Sequence, residues 1–490
     1  MNPLLLLIII LFPFVSGLLL VALRGRSSNM LAWSAFAITV LTSAGCCVLL
    51  IFGVDGALDL VRFAPALTLS LRLDGLGRFF VGIVSALWPL TVLYARAYMR
   101  HEAHLPMFFG LFTVSYGATL GVAMAGNLFT MYCFYELLTL STVPLVLQPM
   151  TKAAVRATRM YFLYSIGGAA FAFASMVFLL ANGATGPFES GGSLAGHLYY
   201  SNDVTYLFWL FGFLGFGVKA ALFPLHAWLP RASVAPTPVT ALLHAVAVVK
   251  SGAFAVIRLT YCCFGIDLLS GSWAQTAAIL LASFTIVYGS SIALKESHFK
   301  RRLAYSTVAN LSYILLGAVL MTPAGLSAGL MHMAAHACIK ILAFFCAGAV
   351  LHQTGRTNIY ELDGLGRRMP VTFVCFTFSA FALTGLPPFF GFVSKWQLLT
   401  AAAASSGIVY VGAGALLLSA LLTAIYMLTC ARRAWFPARD SNLDGLETVH
   451  EASWEMLVPM VLLAAATLLC GVFAKPILAA TDAIAFGLIY

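Results

Sequence analysis

Apolar stretches long enough to cross a bilayer follow one another almost without pause along this chain, and they leave little room for any other architecture. Runs of roughly 18–25 apolar residues, the length a spanning helix needs, number about fourteen, near residues 3–23, 30–52, 76–98, 106–125, 128–149, 157–181, 203–223, 238–260, 274–294, 303–321, 327–351, 371–399, 407–430 and 455–474. Only 9% of the 490 residues are charged, against about 25% in soluble domains. The expected fold class is therefore all-α: a polytopic membrane protein of about fourteen transmembrane helices. The first run, from Pro3 to Leu23, is followed by more of its kind rather than by a polar domain, so it is expected to be a retained span and not a cleaved signal.

The connections test this reading, because Lys and Arg collect on the cytoplasmic side of a membrane protein. Connections after odd-numbered spans hold most of them, including Arg24, Arg26, Lys300-Arg301-Arg302, Arg367-Arg368, Arg432-Arg433 and Arg439; the opposite connections hold only Arg62, Arg72, Arg78, Arg258 and Lys475. That asymmetry puts both termini on the non-cytoplasmic side of the cell's inner (plasma) membrane. It also accounts for most of the net charge of +10 by contact with the lipid bilayer, without nucleic acid.

Four lysines and one acid do not fit the loops: Lys219, Lys250, Lys340, Lys395 and Glu136 all fall inside spans. At about 2.5–3.5 kcal/mol for each charge near the bilayer centre, five facing lipid would cost roughly 12–17 kcal/mol, as much as the ~5–15 kcal/mol net stability of a domain. Pairing alone cannot relieve four lysines with one glutamate, so the surplus needs water or neutrality. Burial lowers a lysine's proton affinity, which suits a proton relay.

The neighbours of these residues point the same way. In "HMAAHACIKILAFF", His332, His336 and Lys340 recur every fourth residue and so share one helix face. In "HAVAVVK", His244 precedes Lys250 on the eighth span, and His226 follows Lys219 at the end of the seventh. The spacing His332-His336 lacks the glutamate of HExxH and any third ligand, so no metal is expected. The ten cysteines show no spacing for zinc, haem or an iron–sulfur cluster; no cofactor is expected.

Prolines interrupt two of the spans beside a lysine. Pro224 follows Lys219, and "TGLPPFFGFVSK" sets Pro387 and Pro388 before Lys395. Exposed backbone at membrane depth is tolerated only where protein or a water-filled cavity receives it, so both breaks are expected to admit water, the second joining Lys395 to an aqueous face. Interrupted helices in corresponding places suggest two inverted five-helix repeats with spans seven and twelve broken. The expected divisions are 1–105 (spans one to three), 106–262 (first repeat, spans four to eight), 274–435 (second repeat, spans nine to thirteen) and 455–490 (the last span and tail).

The same residues stand in familiar surroundings. "MYCFYELLTLSTVPL", "GVKAALFPLHAWLPRASVAPTPVTALLHAVAVVKSGAF", "KRRLAYSTVANLSYI", "HMAAHACIKILAFF" and "GLPPFFGFVSKW" resemble, in order, the signatures of the antiporter-like membrane subunits shared by respiratory complex I, Mrp-type cation/proton antiporters (their D-type subunit) and membrane-bound energy-converting hydrogenases. The resemblance runs from about residue 70 to 435. It implies that Glu136 and Lys219 are the charged pair of spans five and seven, that His244 and Lys250 connect onward, that His336 and Lys340 form the centre, and that Lys395 is terminal. It also implies other membrane subunits as partners, with peripheral redox subunits in the redox-driven branches, and protons as cargo, alone or in exchange for Na⁺. The chain carries no catalytic or redox centre of its own in this reading. The rival classes are a free-standing secondary transporter, which would need an enclosed mid-membrane pocket, and an intramembrane enzyme, for which no nucleophile or metal set is evident.

Overall fold

The computed structural model describes residues 2–23, 27–54, 56–64, 67–184, 186–194, 200–405, 407–437 and 446–490. Arg24, Arg26 and Arg439 lie outside these residues. The chain opens with α1 (Leu4–Ala22) and α2 (Ser28–Phe52), followed by an antiparallel hairpin, β1 (Ala57–Ala64) and β2 (Leu67–Arg72). Next come α3 (Gly75–Tyr98), α4 (Leu105–Ala123), α5 (Leu128–Leu147), α6 (Lys152–Ala181), α7 (Asn202–Gly217) and the single turn α8 (Trp228–Ala232). The eighth span is assembled from α9 (Thr237–Ala245), α10 (Val248–Arg258) and a π-helical turn, Leu259–Phe264, with α11 (Ile266–Leu269) after it. The remainder is α12 (Trp273–Lys295), α13 (Phe299–Val319), α14 (Pro323–Thr354), α15 (Pro370–Thr384), α16 (Phe390–Ala403), α17 (Val409–Trp435), α18 (Trp454–Val472) and α19 (Lys475–Ile489).

Short polar side chains start the spans, as a backbone leaving a polar boundary requires. Asp74 accepts from Gly77 N at 2.8 Å and Asn127 from Thr130 N at 2.8 Å. Each satisfies one of the free N–H groups at a helix start. Proline occupies the first turn of α9, α14 and α15, where no N–H partner is lost.

Eleven helical segments among the described residues are long and apolar enough to cross a membrane on their own, fewer than the fourteen expected. The shortfall has physical causes. The seventh and twelfth spans are each divided into shorter helices. Helix α13 carries Arg302, Ser306, Thr307, Asn310 and Ser312, all buried, so it is sheltered by protein and does not need to be lipid-soluble. The hairpin β1–β2 and the additional helix α19 were not anticipated, and the eighth span, expected to be continuous, is interrupted at Val246–Ala247.

Burial separates the helices into a wall and a centre. The apolar windows of α1 and α2 are 28% buried, whereas that of α14 is 83% buried and the one spanning α9 and α10 wholly so. Helix α14 packs against α9, α13, α15, α16, α18 and α19. Lys250 and Ser251 on α10, and His332, His336 and Lys340 on α14, are therefore inside the protein and away from lipid.

Three basic residues expected in loops are inside as well. Arg258 is fully buried and makes a two-pronged contact with Asp74. Arg302 donates to the carbonyls of Glu296 at 2.8 Å, Tyr426 at 2.9 Å and Leu294 at 3.2 Å. Lys300 donates to the Ala235 carbonyl at 2.7 Å. Arg301 between them is exposed and pairs with Glu296 at 3.2 Å. A run of basic residues at a helix start thus straddles the boundary, with alternate members turned inward.

Candidate functional site

Glu136 lies on α5, facing the point where α7 unwinds. Helix α7 stops at Gly217, and the chain turns irregularly from there to α8, with Ala221 at φ +55° and a cis peptide at Phe223-Pro224. Lys219 is therefore inside the unwound stretch, not on a helix ahead of it. Its Nζ stands 3.8 Å from Glu136 Oε1, donates to the Tyr135 carbonyl, and lies 3.2 Å from the centroid of the Tyr135 ring. The Lys219 side chain is 1% exposed and that of Glu136 25%. Glu136 Oε1 has no hydrogen-bond partner among the described residues. The two charges attract across a gap too wide for a hydrogen bond, and the lysine's hydrogen bond goes to the backbone instead.

Helix α10 presses onto this stretch at Gly252. A side chain there would meet Ala220 N at 2.7 Å and Phe216 O at 2.9 Å, so only glycine lets the backbones touch. Two residues earlier, Lys250 Nζ contacts His336 Nδ1 of α14. Both are completely buried. A charged lysine donates to a neutral Nδ1; a protonated imidazole donates to a neutral amine. One contact thus serves either position of the proton.

His336 begins a row of polar side chains along and beyond α14. Its ring is 5.9 Å from that of His332, whose Nδ1 is 3.0 Å from Ser394 Oγ of α16 and whose ring is 5.0 Å from Tyr313 of α13. Lys395 Nζ is 5.3 Å from the Tyr313 ring centroid and donates to the carbonyls of Leu383 and Thr384. Those are the free carbonyls at the end of α15, the negative end of a helix, so the break in span twelve holds the cation that follows it. Lys340, one turn beyond His336, donates to Leu303 O at 3.0 Å. His244, at the end of α9, lies tilted against Phe344 with ring centroids 4.9 Å apart. Among the described residues neither ring nitrogen of His244 has a hydrogen-bond partner, nor does Nε2 of His332 or His336.

Other expected members stand apart. The His226 ring lies against Phe223 at 5.5 Å and Tyr288 at 4.9 Å, and among the described residues no hydrogen bond or ion pair joins it to Lys219. Pro387 and Pro388, linked by a cis peptide, do not line the cavity at Lys395. That cavity, ≈ 240 Å³, is bounded by Tyr313, Thr384, Gly385, Trp396 and Leu417, and its rim residues Trp396 and Leu417 are exposed apolar side chains. It opens toward the apolar flank, where an opening to water at the two prolines had been expected. Lys300, Tyr313 and Ser394 were missed. The two hydroxyl residues give no sequence signal beyond ordinary helix composition, and Lys300 reads as a membrane-anchoring charge. Among the described residues no group of three or more His, Cys, Asp or Glu could hold a metal ion.

A family model described as "NADH:quinone oxidoreductase/Mrp antiporter, TM" matches residues 125–423, a range that contains every residue of this site. The chain is 30% identical over 494 residues to NADH-quinone oxidoreductase subunit N of Desulforudis audaxviator, covering 97% of this chain and 96% of that protein. It is 31% identical over 402 residues to a probable K(+)/H(+) antiporter component of Rhizobium meliloti, covering 79% of this chain but only 39% of that longer protein. A chain of respiratory complex I from Thermus thermophilus superposes with a TM-score of 0.82 at 26% identity, covering 99% of this chain and all of that one.

Proposed function

The chain belongs to the NADH:quinone oxidoreductase/Mrp antiporter membrane family, and from that premise we propose that it moves protons along the buried line from Glu136 to Lys395. It is an antiporter-like, multi-pass membrane subunit of the type found in many-membered complexes of the Mrp and complex I kinds. In this reading Glu136 and Lys219 form a gate. Lys250, His336, Lys340 and His244 carry the proton through the centre, His332 links onward by way of Ser394, and Lys395 is the far terminus. His226 and the prolines Pro224, Pro387 and Pro388 shape the breaks. Residues 106–262 and 274–435 form the two repeats, each with a broken helix beside its lysine. The protein lies in the plasma membrane with both termini on the non-cytoplasmic side, an orientation supported by the distribution of Lys and Arg.

The observation that carries the proposal is the buried contact of Lys250 with His336. Two basic groups completely withdrawn from solvent have no structural advantage over an apolar pair. They do provide two proton-binding atoms in contact. The unpartnered nitrogens of His244, His332 and His336 extend the chain of sites, and buried polar atoms of this kind are met by ordered water. Protons suit the lysines better than bare Na⁺, which prefers oxygen ligands; exchange for Na⁺ would then involve partner subunits. The test is proton transport by the whole complex in sealed vesicles. Arginine keeps the charge of Lys250 and cannot release its proton. Lys250→Arg is expected to lower transport at least tenfold, and transport at the wild-type rate would reduce the line to fixed charges.

A further inference from the structure

At the basic end of the bundle, α6 and α8 share a surface that is cationic at its tip and apolar below. Lys152, Arg156 and Arg159 are exposed on α6, and their spacings of four and three set them on one face over about 10 Å of helix. Arg231, exposed near the end of α8, joins them: one guanidinium nitrogen stands 2.9 Å from Met160 Sδ of α6. Among the described residues none of the four forms a salt bridge. Further along α6 the surface turns apolar at once, with Phe162, Leu163 and Ile166 all exposed. Behind this surface, contacts lead to the gate. Trp228, three residues before Arg231, stacks on Tyr161 of α6 with ring centroids 4.8 Å apart. Its indole N–H donates at 2.8 Å to the carbonyl of Val218, the residue before Lys219. The Tyr161 hydroxyl is 2.8 Å from Thr142 Oγ1 of α5, the helix that carries Glu136. The seat of α8 on α6 thus fixes one end of the unwound stretch that holds Lys219.

We propose that Lys152, Arg156, Arg159 and Arg231 hold the headgroup of an anionic phospholipid whose acyl chains lie on the apolar face of α6, and that this lipid clamps α8 to α6 and so steadies the gate. The link to the gate rests on the proton-transport reading of the previous subsection; the binding itself does not. Like charges gathered on one surface repel one another, and a phosphate among them turns repulsion into attraction. Arginine binds two phosphate oxygens at once. The thioether of Met160 is too weak an acceptor to satisfy a guanidinium, so Arg231 stays available to the phosphate. A soluble anion would meet the charges and leave Phe162, Leu163 and Ile166 uncovered. A phospholipid matches both halves of the surface, in the way that basic residues at the cytoplasmic end of a span recognise anionic headgroups.

The experiment reconstitutes the intact, delipidated complex in vesicles of phosphatidylcholine, alone or with one-fifth phosphatidylglycerol. Proton transport is measured, and phosphatidylglycerol retained on re-extraction is counted by native mass spectrometry. The wild type is expected to retain phosphatidylglycerol and to transport several-fold faster with it. Arg156→Gln combined with Arg159→Gln, and Arg231→Gln alone, alter exposed side chains and are expected to lose most of the retained lipid and of the gain. Arg156→Lys combined with Arg159→Lys keeps the charge and is expected to keep most of both. Arg367→Gln combined with Arg368→Gln removes as much exposed charge elsewhere and is expected to behave as the wild type. Equal retention by the wild type and the Arg156/Arg159 glutamine variant overturns the proposal. So does an equal loss of the gain in the Arg367/Arg368 variant, which would assign the effect to general surface charge, or a gain reproduced in phosphatidylcholine by inorganic phosphate, which would make the site one for a soluble anion. A wild type that retains no phosphatidylglycerol, as when an acidic segment of a partner subunit covers the four cations, overturns it as well. Normal transport by Lys250→Arg would remove the relay, while the count of retained lipid still decides the binding site.

Discussion

Lys219 is held by the carbonyl of Tyr135 while its counter-ion, the adjacent Glu136, waits 3.8 Å away. The ammonium is charge-paired but not locked, and a small movement of α5 changes the pairing. At an effective dielectric of ~20 an ion pair at ~4 Å is worth on the order of 4 kcal/mol, and in the proposed gate widening the gap withdraws that support from the lysine's charge. Glu136→Gln is expected to abolish proton transport by the complex, and Lys219→Ala to do the same, while the amount of assembled complex stays near wild type. Vesicle transport measured beside native-gel assembly separates the two effects. Normal transport in either variant would take the pair out of the mechanism.

The central contact makes a different prediction. Lys340 is moored to a main-chain carbonyl, a bond that arginine could also make, yet in the relay it must give up its proton. Lys340→Arg should therefore keep the fold and lose transport at least tenfold. His336→Gln keeps a hydrogen-bonding side chain next to Lys250 but cannot carry a proton, and should lose a comparable amount. Proton flux per assembled complex is the measurement, and retention of more than half of it in both variants would contradict the relay.

The positions of these residues were readable in the sequence for a simple energetic reason. A charge in the middle of an apolar run is expensive unless it faces protein or water, so Glu136, Lys219, Lys250, Lys340 and Lys395 identify themselves. Periodicity then places His332 and His336 beside Lys340. What the sequence does not contain is the third dimension: nothing in "KRRLAY" distinguishes inward Lys300 from outward Arg301, and nothing in the spacing of His226 reveals that its ring turns to Tyr288. Breaks were only half legible. Proline marks a damaged helix, but α7 actually ends at Gly217, well before Pro224, and the interruption at Val246–Ala247 has no proline or glycine to announce it.

Arg258, fully buried, and Asp74 pair outside the line, and the pair should matter for stability. Burial works against the Asp74 charge, but the guanidinium beside it outweighs this and holds the carboxyl below its usual range. Removing one partner of a buried pair costs about 3–5 kcal/mol. Asp74→Asn is expected to lower the thermal midpoint of the purified complex, and the double change with Arg258→Met to recover most of it. A folded-state pKa below the unfolded value of about 3.9 means the stabilisation is present above that pH and is lost as pH falls through the folded value. The wild type should lose stability on acidification in that window more steeply than Asp74→Asn; equal slopes would show that the pair does not titrate with unfolding.

Gly252 offers a test of whether the gate and the central line communicate through the backbone. A Cβ at this position would stand 2.7 Å from Ala220 N and 3.0 Å from the carbonyl carbon of Lys219. Those atoms belong to the main chain of the unwound stretch, which cannot rotate aside as a flexible side chain does. Alanine must push α10 away from Lys219, at a cost of about 1–3 kcal/mol for overpacking. The contact of Lys250 with His336 lies on the opposite side of the push, toward α14, and should survive. Gly252→Ala is thus expected to assemble with a lowered thermal midpoint and to transport protons several-fold more slowly. Gly414→Ala is the control, because a Cβ there meets nothing within 4 Å and its expected effect is the helix-propensity gain alone, up to about 1 kcal/mol. If Gly252→Ala transports as fast as Gly414→Ala despite a lowered midpoint, the close approach is packing alone, and the proton passes from Lys219 to Lys250 without help from the contact between their backbones.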